Sequence, residues 1–322
     1  VSYREEKKEM AAIIGEKETR QLIDMRQAIK AVEEIFRHRA AGKVQSLPRR
    51  RLKGSQKQLN IMAAWHAGAD LLCLRAYAGA SNTISLYSGR TGEIRAILNA
   101  KYLSSLRTGA ASGVAAKYLA PPKTDVVGIA GPGWQATFQV EAIVHACRVR
   151  HVLIYGRNPN KTRAFIKEMR RKISVELRES SSLEELEAES DVLVLATDAA
   201  SPLIDGDRLK PEVLVISMGA NQPVKHEVSG ALIKRMDLIV TDDLPTAQTD
   251  SGDLIAACAK GIIQWENVIP LEKLVADGCP APRPARILFQ SNGIADEDLA
   301  VGRYVLQRAQ KKKAKVKKVS EI

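Results

Sequence analysis

Cysteine is scarce in this chain of 322 residues, and its four copies stand apart: Cys73, Cys147, Cys258 and Cys279 form no C-x-x-C pair and have no histidine at ligand spacing. That leaves neither a sequence-readable zinc site nor a disulfide framework, so the thiols read as reduced core or surface residues and no metal is implied. No run of about 18 apolar residues is present to cross a bilayer. The amino end, VSYREEKKEM, is charged where a secretory signal would need an apolar core. A cytoplasmic protein with no membrane partner is the expectation. His66, His145, His151 and His226 fall in different segments without triad or ligand spacing and read as ordinary core or surface residues.

With 45% hydrophobic residues the chain can bury ample core and is long enough for two domains. The formal charge is +12, and six of the positive charges lie in KKKAKVKK at 311–318. The basic tail, 309–322, reads as a frayed, solvated end. No aromatic interleaving accompanies it, so no nucleic-acid partner is expected. The remaining excess of about +6 suits an anionic small substrate and a phosphorylated cofactor.

Residues 20–41 place Leu22, Met25, Ile29, Val32 and Phe36 at helical spacing, and Gly42 closes the segment. Short strand-like runs follow at 71–77, 83–87 and 94–98, then a helix over 104–119 that Pro121 and Pro122 end. From Asp125 the rhythm becomes strand, helix, strand. Strands are predicted at 126–130, 151–155, 191–197, 213–219 and 238–240, with crossover helices at 134–147, 160–173 and 182–188. The fold class expected is α/β: a doubly wound parallel Rossmann sheet over 123–289, beside an α+β substrate and dimerisation domain over 1–122 completed by 290–322.

The run VVGIAGPGWQATF starting at Val126 puts Gly131, Gly133 and Ala136 after a strand and into a helix, the G-x-G-x-x-A form of the dinucleotide fingerprint. Backbone N–H groups there would face a pyrophosphate, with Trp134 and Gln135 next to it. The second strand ends in Tyr155-Gly-Arg-Asn, without the acid that binds a ribose 2′-hydroxyl. Arg157, Asn158 and Lys161 favour a 2′-phosphate, hence NADP(H) with NAD(H) possible. Thr197, Met218 and Gly219 lie at carboxyl ends of strands, where such a sheet binds its ligand.

The chain resembles the ornithine cyclodeaminase and mu-crystallin family from about Ile13 to about Arg308. The resemblance is carried in order by RTGAASGVAAKYLA (107–120), GPGWQA, YGRNP, Thr197, SMGANQPVKHEV (217–228), SGDL (251–254) and LFQSNGIADEDLA (288–300). It implies a homodimer and hydride transfer between nicotinamide and the α-carbon of an amino or imino acid. It also places Thr108 and Ser291 with the cofactor, and Arg49 and Arg107 on the substrate carboxylate, which a guanidinium fork grips bidentately.

Two departures bear on the reaction. Arg75 stands where many relatives have lysine, and Asn221 where the cyclodeaminases have aspartate. Neither can exchange protons in the working range, which favours a reductase of small imino acids over a lyase converting ornithine to proline and ammonia. A non-catalytic NADP(H)-binding protein is a third reading. Arg75 becomes a further carboxylate clamp and Asn221 a hydrogen-bonding group for the substrate nitrogen. Asp296, Glu297 and Asp298 read as structural acids at the start of the last helix. Arg49, Arg75 and Arg107 should then converge on one pocket.

Overall fold

The computed structural model describes residues 10–312 and 317–319. Strands β1 (Ala11–Ile14), β2 (Val44–Lys53), β3 (Gln58–His66), β4 (Leu71–Ala78), β5 (Ser81–Ser88) and β6 (Ile94–Asn99) build the first sheet. It runs antiparallel except where β1 joins β6 in parallel. The expected helix over 20–41 is two helices, α1 (Glu16–Leu22) and α2 (Met25–Ala40). Asp24 causes the break: its carboxylate accepts from the Gln27 amide, and the Gln27 side chain accepts from the Asp24 amide, a capping box that starts a new helix.

Helix α3 (Lys101–Leu119) leads out of this sheet into the second, whose strands are all parallel. They are β7 (Val126–Ala130), β8 (His151–Tyr155), β9 (Glu176–Glu179), β10 (Val192–Leu195), β11 (Val213–Ser217), β12 (Leu238–Thr241), β13 (Val268–Pro270) and β14 (Arg286–Gln290). Their order is β13-β12-β14-β11-β10-β7-β8-β9. β7, β10 and β11 are buried along their whole length, which explains their unbroken Val, Leu and Ile runs. The chain turns to opposite sides of β7, so Ala130 and Leu195 at the ends of β7 and β10 flank the crevice where such sheets take a ligand. Helices α4 (Trp134–Ala146), α5 (Pro159–Met169), α6 (Leu183–Glu189), α7 (Gly230–Lys234), α8 (Leu244–Asp250), α9 (Gly252–Ala259) and α10 (Leu271–Asp277) connect the strands.

After β14, α11 (Ala295–Lys311) packs back on α2, α3 and the first sheet, joining the two ends of the chain in one core. The last described segment, β15 (Lys317–Val319), pairs antiparallel with β1, so this part of the basic tail is an edge strand and not a frayed end. The tail's residues 313–316 and 320–322 lie outside the described residues.

Small residues in RTGAASG have a packing cause. A Cβ on Gly109 would stand 2.6 Å from the Phe138 carbonyl oxygen of α4, and one on Gly113 2.9 Å from Ile29 of α2. Three helices therefore meet at near-backbone distance. Gly109→Ala should lower stability despite alanine's helix propensity, because the obstacle is backbone that cannot rotate away. A loss of about 1–3 kcal/mol is expected, read as a lower urea midpoint with unchanged slope.

Candidate active site

The carboxyl end of β7 turns into α4 at Gly131, whose φ is +92°. A Cβ there would strike the Ala196 carbonyl oxygen at 2.6 Å, so this glycine is required by the neighbouring strand end. Gly133 differs: a Cβ on it would meet no protein atom within 4 Å, and it caps α4 without a side-chain bond, leaving the first-turn amides open. The turn before α4 borders a groove of about 820 Å³ that Gly131, Gly133, Arg157, Asn158, Lys161 and Thr197 help to line. Residues and space fit a dinucleotide. The Asn158 side-chain oxygen is already engaged, accepting from the Asn160 and Lys161 amides at the start of α5. Arg157 and Lys161 are exposed in the groove.

Two residues past Gly133, Gln135 borders a second cavity, of about 200 Å³. Arg49, Arg75 and Arg107 all line it, together with Asn221, Thr108, Met218 and Ser291. Thr108, Met218 and Ser291, expected with the cofactor, thus border the substrate-sized space. Trp134, Ala136 and Gly219 line neither space. The Trp134 indole N–H donates to Ser105 at 2.8 Å and its ring packs edge-on against Phe138, while Ala136 is fully buried.

The local fold selects which arginine of Pro48-Arg-Arg-Arg51 enters. β2 shifts register between Leu47 and Arg50, and this irregularity leaves Arg49 buried and Arg50 exposed. Arg49 Nη1 lies 2.6 Å from Asp250 Oδ2 at the end of α8, and Arg51 Nη1 2.6 Å from the other Asp250 oxygen. Arg49 Nη2 donates to the Asn292 and Gly293 carbonyls, each at 2.9 Å. Arg107 donates from Nη1 to Glu297 at 2.9 Å and from Nε to Asp298 at 3.2 Å. Arg75 faces the same Asp298 oxygen at 3.5 Å, and its guanidinium lies 4.9 Å from the centre of the Tyr77 ring.

Burial opposes all this charge. It pulls the Arg75 pKa below the ordinary value against the attraction of Asp298. At Arg107 burial is outweighed by Asp298 and Glu297, which raise the pKa. Glu297 is lifted well above the usual carboxylate range, by burial first, with Arg107 acting the other way. The acids opening α11 therefore do more than suit a helix dipole: Glu297 and Asp298 hold the arginines of the cavity.

Other carboxylates hold the loops. Asp242, at the end of β12, accepts from the Asn292 and Gly293 amides at 2.6 Å each and fixes the loop carrying Ser291. Glu227 accepts from the Thr197 amide and hydroxyl and from the Gly219 amide, all at 2.7 Å, tying together two strand ends. The Ser217 hydroxyl lies between Glu227, 2.9 Å away, and Asp253, 3.2 Å away. Sequence reasoning missed Asp242, Asp250, Glu227 and Asp253 as site-building groups, as well as Tyr77, Asn82, Ser104, Asn292 and Gly293 in the cavity wall. Asp242 directly follows the apolar strand β12, and Glu227 and Asp253 fall within segments that carry the family resemblance; those were the available signals.

Burial pushes Asp253 up to about 7, with the nearby Glu227 charge adding to it. Its ordinary value is about 3.9, so the folded state binds the proton more tightly than the unfolded one. The resulting stability is complete below about pH 4 and is lost as pH rises through about 7. The difference in urea midpoint between wild type and Asp253→Asn should therefore change across that window, the wild type losing more on the alkaline side.

The sequence profile of the ornithine cyclodeaminase/mu-crystallin family matches residues 9–313. An alanine dehydrogenase of Archaeoglobus fulgidus is 32% identical, covering 92% of this chain and 94% of that protein. The structure of the iminosuccinate reductase of Paracoccus denitrificans with NAD+ superposes with TM-score 0.89 and 27% identity, over 97% of this chain and 100% of the other. That of Thermococcus litoralis Δ1-pyrroline-2-carboxylate reductase with NADH and L-proline gives TM-score 0.88 and 26% identity, over 94% and 98%. By profile, by sequence and by fold, this chain belongs to the ornithine cyclodeaminase/mu-crystallin family.

Proposed function

We propose that the protein is an oxidoreductase that reduces a small imino acid to the amino acid, using a reduced nicotinamide dinucleotide. One observation carries this reading: three buried guanidiniums share a cavity that adjoins a dinucleotide cradle at the amino end of α4. An α-carboxylate gripped by guanidinium forks leaves the α-carbon free to face the nicotinamide. The relatives named above, an alanine dehydrogenase and two imine reductases, act on substrates of this class. The cavity volume of about 200 Å³ suits a small side chain or a five- to six-membered ring.

For the cofactor, NADP(H) is the finer reading. Arg157 and Lys161 border the groove at the end of β8, where the turn 156–161 carries no acid, and guanidinium and ammonium groups recognise a 2′-phosphate. The NAD+ and NADH of the two superposed structures belong to those proteins. Thr108, Met218 and Ser291 are assigned to the meeting point of nicotinamide and substrate, Asn221 to the substrate nitrogen.

A homodimer is supported by one face of the first sheet. Leu52 pairs with Leu59, Leu47 with Ala63 and Leu72 with Trp65, so the four leucines share a face. All are exposed, Leu47 to 66% and Leu52 to 62%. Among the described residues no helix is long and apolar enough to cross a membrane. A cytoplasmic location accords with that and is part of this proposal.

Absorbance at 340 nm should fall when NADPH is mixed with protein and Δ1-pyrroline-2-carboxylate or another cyclic imino acid, or with 2-oxo acids plus ammonia. Arg157→Ala should raise KM for NADPH by about 10–100-fold, a loss of one charged phosphate contact, and leave NADH unchanged. Consumption of neither cofactor with any imine, alongside tight NADPH binding, would favour a binding protein instead. Light scattering should give twice the monomer mass, and Leu52→Glu should shift it towards the monomer.

A further inference from the structure

We infer that Tyr77 is the proton donor of this reaction, an assignment that rests on the reductase reading. When an imine carbon accepts hydride, the C=N π pair moves onto nitrogen, and that nitrogen must take a proton or already carry one. Among the described residues, no carboxyl, imidazole, amine or thiol group lines the cavity. Its arginines keep their protons. Thr108 donates to the Ser104 carbonyl at 2.9 Å and Ser291 faces Asp242 at 3.4 Å, so two of its alcohols are already engaged. The phenol of Tyr77 is a stronger acid than any of these alcohols.

Tyr77 is also free to act. In β4 it lies two residues from Arg75, on the same side of the strand, and its ring borders the cavity. Among the described residues its side chain has no hydrogen-bond partner, in contrast to Tyr118, which donates to Glu33, and Tyr102, which donates to the Ile23 carbonyl. Arg75 stacks against the ring, and Arg107 on α3 also interacts with Tyr77 electrostatically. Arg49 on β2 borders the same space, while Asp298 and Glu297 of α11 lie behind the arginines that they bind.

The step balances. Hydride from the reduced nicotinamide forms the new C–H bond, and the nicotinamide is oxidised. The former π pair forms an N–H bond with the Tyr77 proton as the O–H bond breaks. The phenolate oxygen left beside Arg75 and Arg107 recovers its proton from water, and the cations stabilise it in the interval.

Tyr77→Phe keeps the ring against Arg75 and removes only the hydroxyl. With Δ1-pyrroline-2-carboxylate and whichever reduced cofactor the wild type uses, kcat should fall about 100-fold at alkaline pH. It should return towards the wild-type value at acid pH, where the substrate arrives already protonated. Binding of the non-reducible planar analogue pyrrole-2-carboxylate, followed by calorimetry, should change less than about twofold, a ratio small beside the tenfold that 1.4 kcal/mol represents. Three results would overturn the assignment: wild-type kcat at every pH, a loss equal at every pH, or weakened analogue binding with unchanged kcat. Failure of the reductase reading shows instead in the wild type, as inactivity towards every imine.

Discussion

Arg107 donates to Glu297 and Asp298, and Asp298 also faces Arg75, so two guanidiniums sit in the core because the first turn of α11 brings carboxylates to them. An uncompensated buried charge costs several kcal/mol, so this arrangement constrains the whole topology. The carboxy-terminal helix must return, after the whole Rossmann segment, to Arg107, which stands 190 positions before Glu297 and 191 before Asp298. Arg39 of α2 ties the same helix to the second sheet, pairing with Asp296 of α11 and also with Asp243 and Glu272. Asp250 of α8 does the equivalent for β2 through Arg49 and Arg51. Each pair spans elements remote in sequence, and together they fix the cavity against the groove.

Charge in the cavity wall does not cancel. Arg49, Arg75 and Arg107 line it, while the carboxylates that pair with them, Asp250, Glu297 and Asp298, stand outside the lining. Burial raises the Glu297 pKa, which weakens the compensation it offers Arg107. Partnered arginines are fixed in position yet retain a positive field, and a field fixed before the ligand arrives costs nothing to reorganise. The loops follow the same design. Asp242 and Glu227 are buried; Glu227 gathers amide N–H groups from two strand ends, and Asp242 two successive ones from the loop after β14. Carboxylates here serve as internal struts, satisfying backbone donors that no sheet partner reaches.

Much of this was legible in the sequence. The strands β7 and β8 match their predicted spans because both are buried runs bounded by turn residues, and the fingerprint glycines sit where a strand becomes a helix. Arg49, Arg75 and Arg107 share a cavity. β14 was not read as a strand, although it lies in the middle of the sheet between β11 and β12. Its five residues follow a loop rich in proline and are too short for periodicity to separate strand from helix. β2 and β3 escaped for a different reason: Pro48 and three successive arginines obscure the alternation, and the irregularity at Leu47–Arg50 shifts its phase. The acids Asp250, Glu297 and Asp298 were visible as residues, but their partners lie about 190 to 200 positions away, and pairing over that distance leaves no local signature.

Arg75 and Asn221 give the cavity its direction. An amino acid enters such a site as an ammonium, which must lose a proton before its carbon can give up hydride. That calls for a base, and an anion to hold the cation while it waits. Among the described residues no carboxylate lines this cavity to hold that cation, a carboxamide and an arginine occupy the two departing positions, and the guanidiniums of the wall oppose it. A neutral imine bearing a carboxylate meets no such penalty, since its negative end is held by guanidinium and its nitrogen needs only a proton donor, the role inferred for Tyr77. Once reduced and protonated, the product carries an ammonium into a positive field, so the features that weaken oxidation also favour release after reduction. Under the proposed function, this favours the imino acid over the amino acid that leaves.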